Sequence, residues 1–174
     1  MALGTTYPQR KNIRLSGYNY ALPGHYFVTM VTADRAPHFA DAERRCIVDH
    51  TWLWLAENYL YVELDEHVVM PNHLHGIVII RTNALGDSAP KPLGRLIGAF
   101  KTISTKRINE VRGTPGLPLW QRSFHERIIR NDRELNAIRQ YTIDNPAKWN
   151  EDKNNPASAR IAAPAGRSRT APTA

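Results

Sequence analysis

Two histidines one residue apart, His73 and His75, sit inside the run VVMPNHLHGIVII at positions 68–80. In an extended strand, residues i and i+2 point to the same face, about 6.6–7 Å apart. Both imidazoles can therefore lean onto one metal ion. Leu74, Val78 and Ile80 would line one face and Ile77 and Ile79 the other, so the pattern predicts a strand buried on both sides. Histidines there need partners for their ring nitrogens. Gly76 would let something approach the backbone closely. The same pattern also fits two core histidines hydrogen-bonded to backbone, or a strand end open to water.

A second constellation lies in IRQYTIDNPAKW, at positions 138–149. On a helix, Tyr141 and Asn145 stand one turn apart on the same face. A phenol beside a carboxamide can serve as nucleophile and metal ligand. Equally, Tyr141 can pack with Leu135 and Ile138 while Asn145 only ends a helix before Pro146. Other candidates are weaker. His125-Glu126 falls in an expected strand, and Glu63, Asp65 and Glu66 fit a solvated strand face. Cys46 fits a core position, and Trp52, Trp54, Trp120 and Trp149 could stack bases or fill the core. Arg95, Lys101, Lys106 and Arg107 on one helix, with Arg122, Arg127 and Arg130 further along, could neutralise phosphates or form a solvated face.

The elements that must position these groups follow from periodicity and punctuation. Residues 25–32 (HYFVTMVT) are β-branched and aromatic, hence a strand. Residues 42–59 read as a helix, with Ile47, Leu53 (or Trp54) and Leu60 near helical spacing and Trp52, Trp54 and Leu55 broadening the apolar face. Residues 62–80 predict two strands joined at the Pro71-Asn72 turn, and 81–92 a loop. Residues 93–111 predict an amphipathic helix with Leu93, Leu96, Ile97, Phe100, Ile103 and Ile108 inward. Residues 120–129 predict a last strand. A final helix, capped by Asn131 or Asp132, runs to Asp144, where Pro146 forbids simple continuation. The order strand, helix, strand, strand, helix, strand, helix indicates an α+β layer with one mainly antiparallel sheet.

The chain has 174 residues with 23 Lys and Arg against 16 Asp and Glu, a formal net charge of +7. That length suits a single domain, and the positive balance points to a polyanion, most simply nucleic acid. No apolar run is long enough to span a bilayer. The first residues lack the apolar stretch of a secretory signal, and one cysteine excludes a disulfide framework, so a cytoplasmic setting is expected. We divide the chain into a basic arm (1–24, with Arg10, Lys11 and Arg14), a domain (25–149) and a disordered tail (150–174).

Taken together, VVMPNHLHGIVII, GHYFVTMVTADRAPHFAD, LGRLIGAFKTISTKRIN and LWQRSFHERIIRNDRELNAIRQYTIDNPAKW resemble the single-tyrosine HUH transposases, in particular the REP-associated tyrosine transposase branch. They keep the family's order over residues 12–150. The resemblance implies a ferredoxin-like HUH fold with helices mainly on one face of the sheet. It implies that His73 and His75 hold a divalent cation, Mg²⁺ or Mn²⁺, with Asn145 as a polar third ligand, and that Tyr141 is the nucleophile. The implied reaction is transesterification of single-stranded DNA beside a hairpin, through a 5′-phosphotyrosine link, by a monomer or homodimer. The arm would contact bases next to the hairpin. Ser123-Phe124-His125 and Thr142 depart from the family pattern, which bears on substrate preference more than on the chemistry. Two other readings are a catalytically inactive nucleic-acid-binding module, and a hydrolase using the histidines with an acid such as Glu63 or Asp65.

Overall fold

The computed structural model describes residues 15, 17–82, 90–152 and 154–156. Arg10, Lys11 and Arg14 of the basic arm, and most of the 150–174 segment, lie outside them. Alternating apolar residues build β1 (Gly24–Val31), which occupies the middle of the sheet. Its strand partners are β3 (His73–Ile80) on one side and β4 (His125–Ile129) on the other, with β2 (Val62–Met70) outside β3. The order is β2-β3-β1-β4 and every pairing is antiparallel. This α+β arrangement is the ferredoxin-like one expected.

Helices α1 (Ala42–Asn58) and α2 (Leu93–Arg112) cover one face. Tyr26, Val28, Met30, Leu74, Val78 and Ile80 meet Trp52, Leu55, Leu96, Ile97 and Phe100 there in the main core. Helix α3 (Asp132–Asp144) covers part of the other face, where Ile77, Ile79 and Ile129 pack on Leu135 and Ile138. All eight residues of β3 are therefore buried, because both of its faces carry helices.

Local signals set the helix ends. Asp41 caps α1 by accepting from the Arg44 N–H, and Asn131 caps α3 by accepting from the Glu134 N–H. Gly113 closes α2 in the left-handed conformation at φ 62°. In α1 the buried stripe is Val48, Thr51, Trp52 and Leu55, so Trp52 and Leu55 of the expected apolar face turn fully inward while Ile47 and Trp54 pack at its margin. Leu53 is exposed and Leu60 lies beyond the helix. In α2, Ser104 rather than Ile103 is buried, since its hydroxyl accepts from Trp120 Nε1 at 2.9 Å.

The last strand is shorter than its sequence suggests. Trp120 makes only a bridge to Thr32, and the carbonyls of Gln121 and Ser123 turn to accept from Lys101 Nζ at 2.8 and 2.9 Å. Beyond α3 the chain continues across Pro146 as a 3-10 turn, Asn145–Glu151, with the proline in the first turn, where its missing N–H leaves no vacancy.

Gly76 faces α1. A Cβ there would stand 2.5 Å from Trp52 Cζ2, inside a core that cannot give way. We expect Gly76→Ala to destabilise the fold by about 2–3 kcal/mol, read as a lower midpoint in chemical denaturation.

Candidate active site

His73 and His75 project from β3 onto the α3 face, and both are buried. Each ring is held by its Nδ1. Asn72 donates both Nδ2 hydrogens, to the carbonyls of Arg35 and Asn154 at 3.0 and 2.7 Å. Its Oδ1 therefore faces His73 Nδ1, 2.9 Å away, as acceptor. That places the proton of a neutral His73 on Nδ1 and a lone pair on Nε2. His75 Nδ1 lies 2.8 Å from Thr29 Oγ1 on the paired strand. The two Nε2 atoms face each other at 3.1 Å. Asp34 and Arg35, with φ 53° and 55°, form a strained turn that aims the Arg35 carbonyl at Asn72.

Tyr141 comes to this pair within the same chain. Its Oη is 3.4 Å from His75 Nε2, and the residue is 44% exposed, so a ligand can reach it. The Phe27 ring stacks on His75 at 5.4 Å and meets Tyr141 edge-on at 6.1 Å. Tyr141 is carried by α3, which two ion pairs lock to the sheet. Arg139 grips Asp65 of β2 with contacts of 2.6 to 3.1 Å. Glu134 accepts from Arg127 Nη2 of β4 and from the Arg130 N–H.

An acid from the 150–174 segment, expected from composition to be a disordered tail, completes the cluster. Asp152 Oδ2 lies 3.5 Å from His73 Nε2. Among the described residues, His73, His75 and Asp152 are the one group of three or more acid, histidine or cysteine side chains poised to hold a metal ion. The boundary at residue 150 is accordingly corrected: Asn154 and Asn155 are buried. The Asn154 carbonyl is bound by Asn72, and its Oδ1 accepts from Arg35 Nη1. Trp149 packs over His73 at 5.9 Å. Nothing in the polar stretch WNEDKNN marks Asp152 as special; only the 3-10 turn through Pro146 returns it to β3.

The residues fit a divalent cation. At metal–nitrogen distances near 2.1 Å, two adjacent ligands of an octahedral shell stand about 3.0 Å apart, and the Nε2 atoms stand 3.1 Å apart. Ligating histidines characteristically have the other ring nitrogen hydrogen-bonded, as Asn72 and Thr29 do here. Asn145, one turn beyond Tyr141, is buried and its Oδ1 has no hydrogen-bond partner among the described residues.

Other sequence candidates are placed differently. Glu63 is paired with Arg81 and Asp65 with Arg139, so neither joins the histidines as an acidic ligand. The Arg139 hydrogen bonds hold the Asp65 carboxyl below its ordinary value of 3.8, and burial opposes them only in part. The unfolded chain protonates Asp65 first as pH falls. The pair thus stabilises the fold above that value and is lost as pH drops through the lowered one. Wild type should be more stable than Asp65→Asn at pH 7, and the gap should close below about pH 4, read from melting temperatures. Of the basic candidates, Lys101 holds the loop before β4, and Arg107 donates to Thr51 of α1 at 3.1 Å. With Arg95 and Lys106 they ride on α2, across the sheet from the histidines. Arg122, Arg127 and Arg130 are exposed on the β4 side. Cys46 is exposed rather than a core filler.

No protein-family model matches the sequence. A solved structure of the REP-associated tyrosine transposase bound to a REP hairpin superposes with a TM-score of 0.58. The match covers 80% of this chain and 76% of that one, at 19% identity. The chain has the fold of that transposase. On this transposase fold the helix carrying Tyr141 packs on the sheet face opposite α1 and α2, where the histidines emerge. An uncharacterized protein of Haemophilus influenzae Rd is 27% identical over 170 residues, covering 83% of this chain and 92% of the relative. A crystal structure from Deinococcus radiodurans R1 aligns at a TM-score of 0.46 and 19% identity, over 76% of this chain and 97% of that one. No helix among the described residues is long and apolar enough to cross a membrane.

Proposed function

We propose that this protein cuts and rejoins single-stranded DNA beside a hairpin by tyrosine transesterification, as a transposase does. The observation that carries the reading is one distance: Tyr141 Oη stands 3.4 Å from His75 Nε2, beside two imidazoles whose Nε2 atoms converge. His73 and His75 would hold a divalent cation, with Asp152 or Asn145 adding oxygen. When bound, that cation supplies Lewis-acid polarisation of the scissile phosphate. Mixed nitrogen and oxygen donors suit Mn²⁺ at least as well as Mg²⁺.

The chain's own residues do the rest. Tyr141 Oη attacks the phosphorus in line, its proton leaving to solvent at the exposed edge. The Oη–P bond forms as the P–O3′ bond breaks, giving a 5′-phosphotyrosine and a free 3′-hydroxyl. A 3′-hydroxyl reverses the step and regenerates Tyr141. One phosphodiester is exchanged for another, so no nucleotide hydrolysis is needed. Asn72 and Thr29 fix the imidazoles, while the Arg139–Asp65 pair fixes the helix that aims the phenol. The nearness of Oη to the histidines within one chain favours a monomer acting in cis.

The Asp152 contact also suits a metal-dependent hydrolase, in which water attacks. An end-labelled DNA hairpin with single-stranded flanks, incubated with Mn²⁺ and resolved on a denaturing gel, separates the two. A band shifted by the mass of the protein supports transesterification. Clean cleavage without such a band would replace it with hydrolysis. Binding with no cleavage in Mn²⁺ or Mg²⁺ would leave a binding module.

A further inference from the structure

We propose that His125 binds a phosphate of the substrate strand close to the reacting one. This rests on the transesterification reading and adds to it a DNA contact outside the metal-and-tyrosine cluster. The argument starts from register. Thr29 of β1 pairs directly with His75 of β3 on one side and with His125 of β4 on the other. Directly paired residues of antiparallel strands share a face. The Thr29 hydroxyl bonds His75 Nδ1, so its side chain is on the Tyr141 face, and His125 is there too. With neighbouring strands 4.7–4.9 Å apart, the His125 Cα lies about 10 Å from that of His75.

The next row along the strands agrees. Phe27 pairs with Arg127, and Arg127 reaches Glu134 of α3 on the same face. The row His75–Thr29–His125 therefore runs from the cluster to the open edge of the sheet, for β4 is the last strand. His125 is exposed, and beyond its backbone pairing with Thr29 no hydrogen bond or ion pair to its ring is present among the described residues. Arg127, by contrast, is already neutralised by Glu134. A single strand with one phosphate at Tyr141 and the histidines needs cover for the charge of its neighbours. Along this row His125 is the donor that remains open to supply it, through a ring N–H to a phosphate oxygen.

The test uses the full-length protein, Mn²⁺ and a hairpin with single-stranded flanks. In a series of substrates, each of the three phosphates on either side of the cut is replaced in turn by an uncharged methylphosphonate. His125→Ala should raise KM about 10-fold with kcat within about twofold, and His125→Lys should restore KM. At the contacted phosphate, methylphosphonate should weaken wild type to the level of His125→Ala and leave the variant unchanged, the signature of a direct pair. An unchanged KM for His125→Ala, or equal penalties on both proteins at every position, would overturn the assignment. The exposed position keeps folding out of the comparison, and an unchanged melting temperature checks this. If wild type forms no covalent adduct, transesterification itself fails. The same coupling, then measured by fluorescence anisotropy in binding, reads the His125 contact separately.

Discussion

Tyr141→Phe should form no covalent protein–DNA adduct, and its cleavage should fall more than about 10³-fold, because the variant lacks the proposed nucleophilic oxygen. The fold should be untouched. The phenol oxygen sits at a half-exposed position, and losing it forfeits one long contact, 3.4 Å to His75 Nε2, while the ring keeps its edge-on contact with Phe27. Hairpin binding should persist. The pattern to look for on a denaturing gel is therefore binding without a shifted band. A shifted band of undiminished intensity from Tyr141→Phe would move the nucleophile to another residue and remove the basis of the proposed mechanism.

His75→Ala should abolish the response to metal. On the proposed mechanism the Nε2 atoms of His73 and His75 would supply two adjacent positions of the coordination shell, and either alone would be a weak ligand. Wild type at a Mn²⁺ concentration of about 100 times the dissociation constant gains about 2.7 kcal/mol. For a domain of this length that is a rise in melting temperature of about 5–10 °C. The variant should show almost none, and its Mn²⁺-stimulated cleavage should fall about 10³-fold. It should also be less stable without metal, since the lost ring is buried, stacks on Phe27 and leaves Thr29 Oγ1 without its partner. The metal-dependent increment, not the baseline, is thus the quantity to compare. Asp152→Asn should shrink that increment less, because the carboxylate stands farther out, 3.5 Å from His73 Nε2. A His75→Ala protein stabilised by Mn²⁺ as strongly as wild type would place the metal elsewhere.

What the sequence by itself determined is local. Period-two alternation set β1 and put His73 and His75 on one face of a doubly buried strand. A capping asparagine started α3, and helical spacing put Asn145 one turn after Tyr141. These follow from backbone geometry within a few residues, where the number of conformations is small. Pattern could not settle which faces meet. Glu63 and Asp65 look like solvated acids, yet Asp65 clamps α3 through Arg139. The basic residues of α2 look like a DNA surface, yet α2 packs on the face away from the histidines, and Lys101 is spent on the loop before β4. Asp152 sits in a polar stretch and reaches His73 only because the chain bends through Pro146 and Asn72 captures Asn154. Tertiary structure alone decided that a phenol 66 residues away meets His75 in the same chain. That meeting depends on the path of α3 across the sheet, set by the ion pairs of Glu134 in its first turn and Arg139 in its middle and by packing on Ile77 and Ile79, and such contacts between distant residues leave no periodic trace in a sequence.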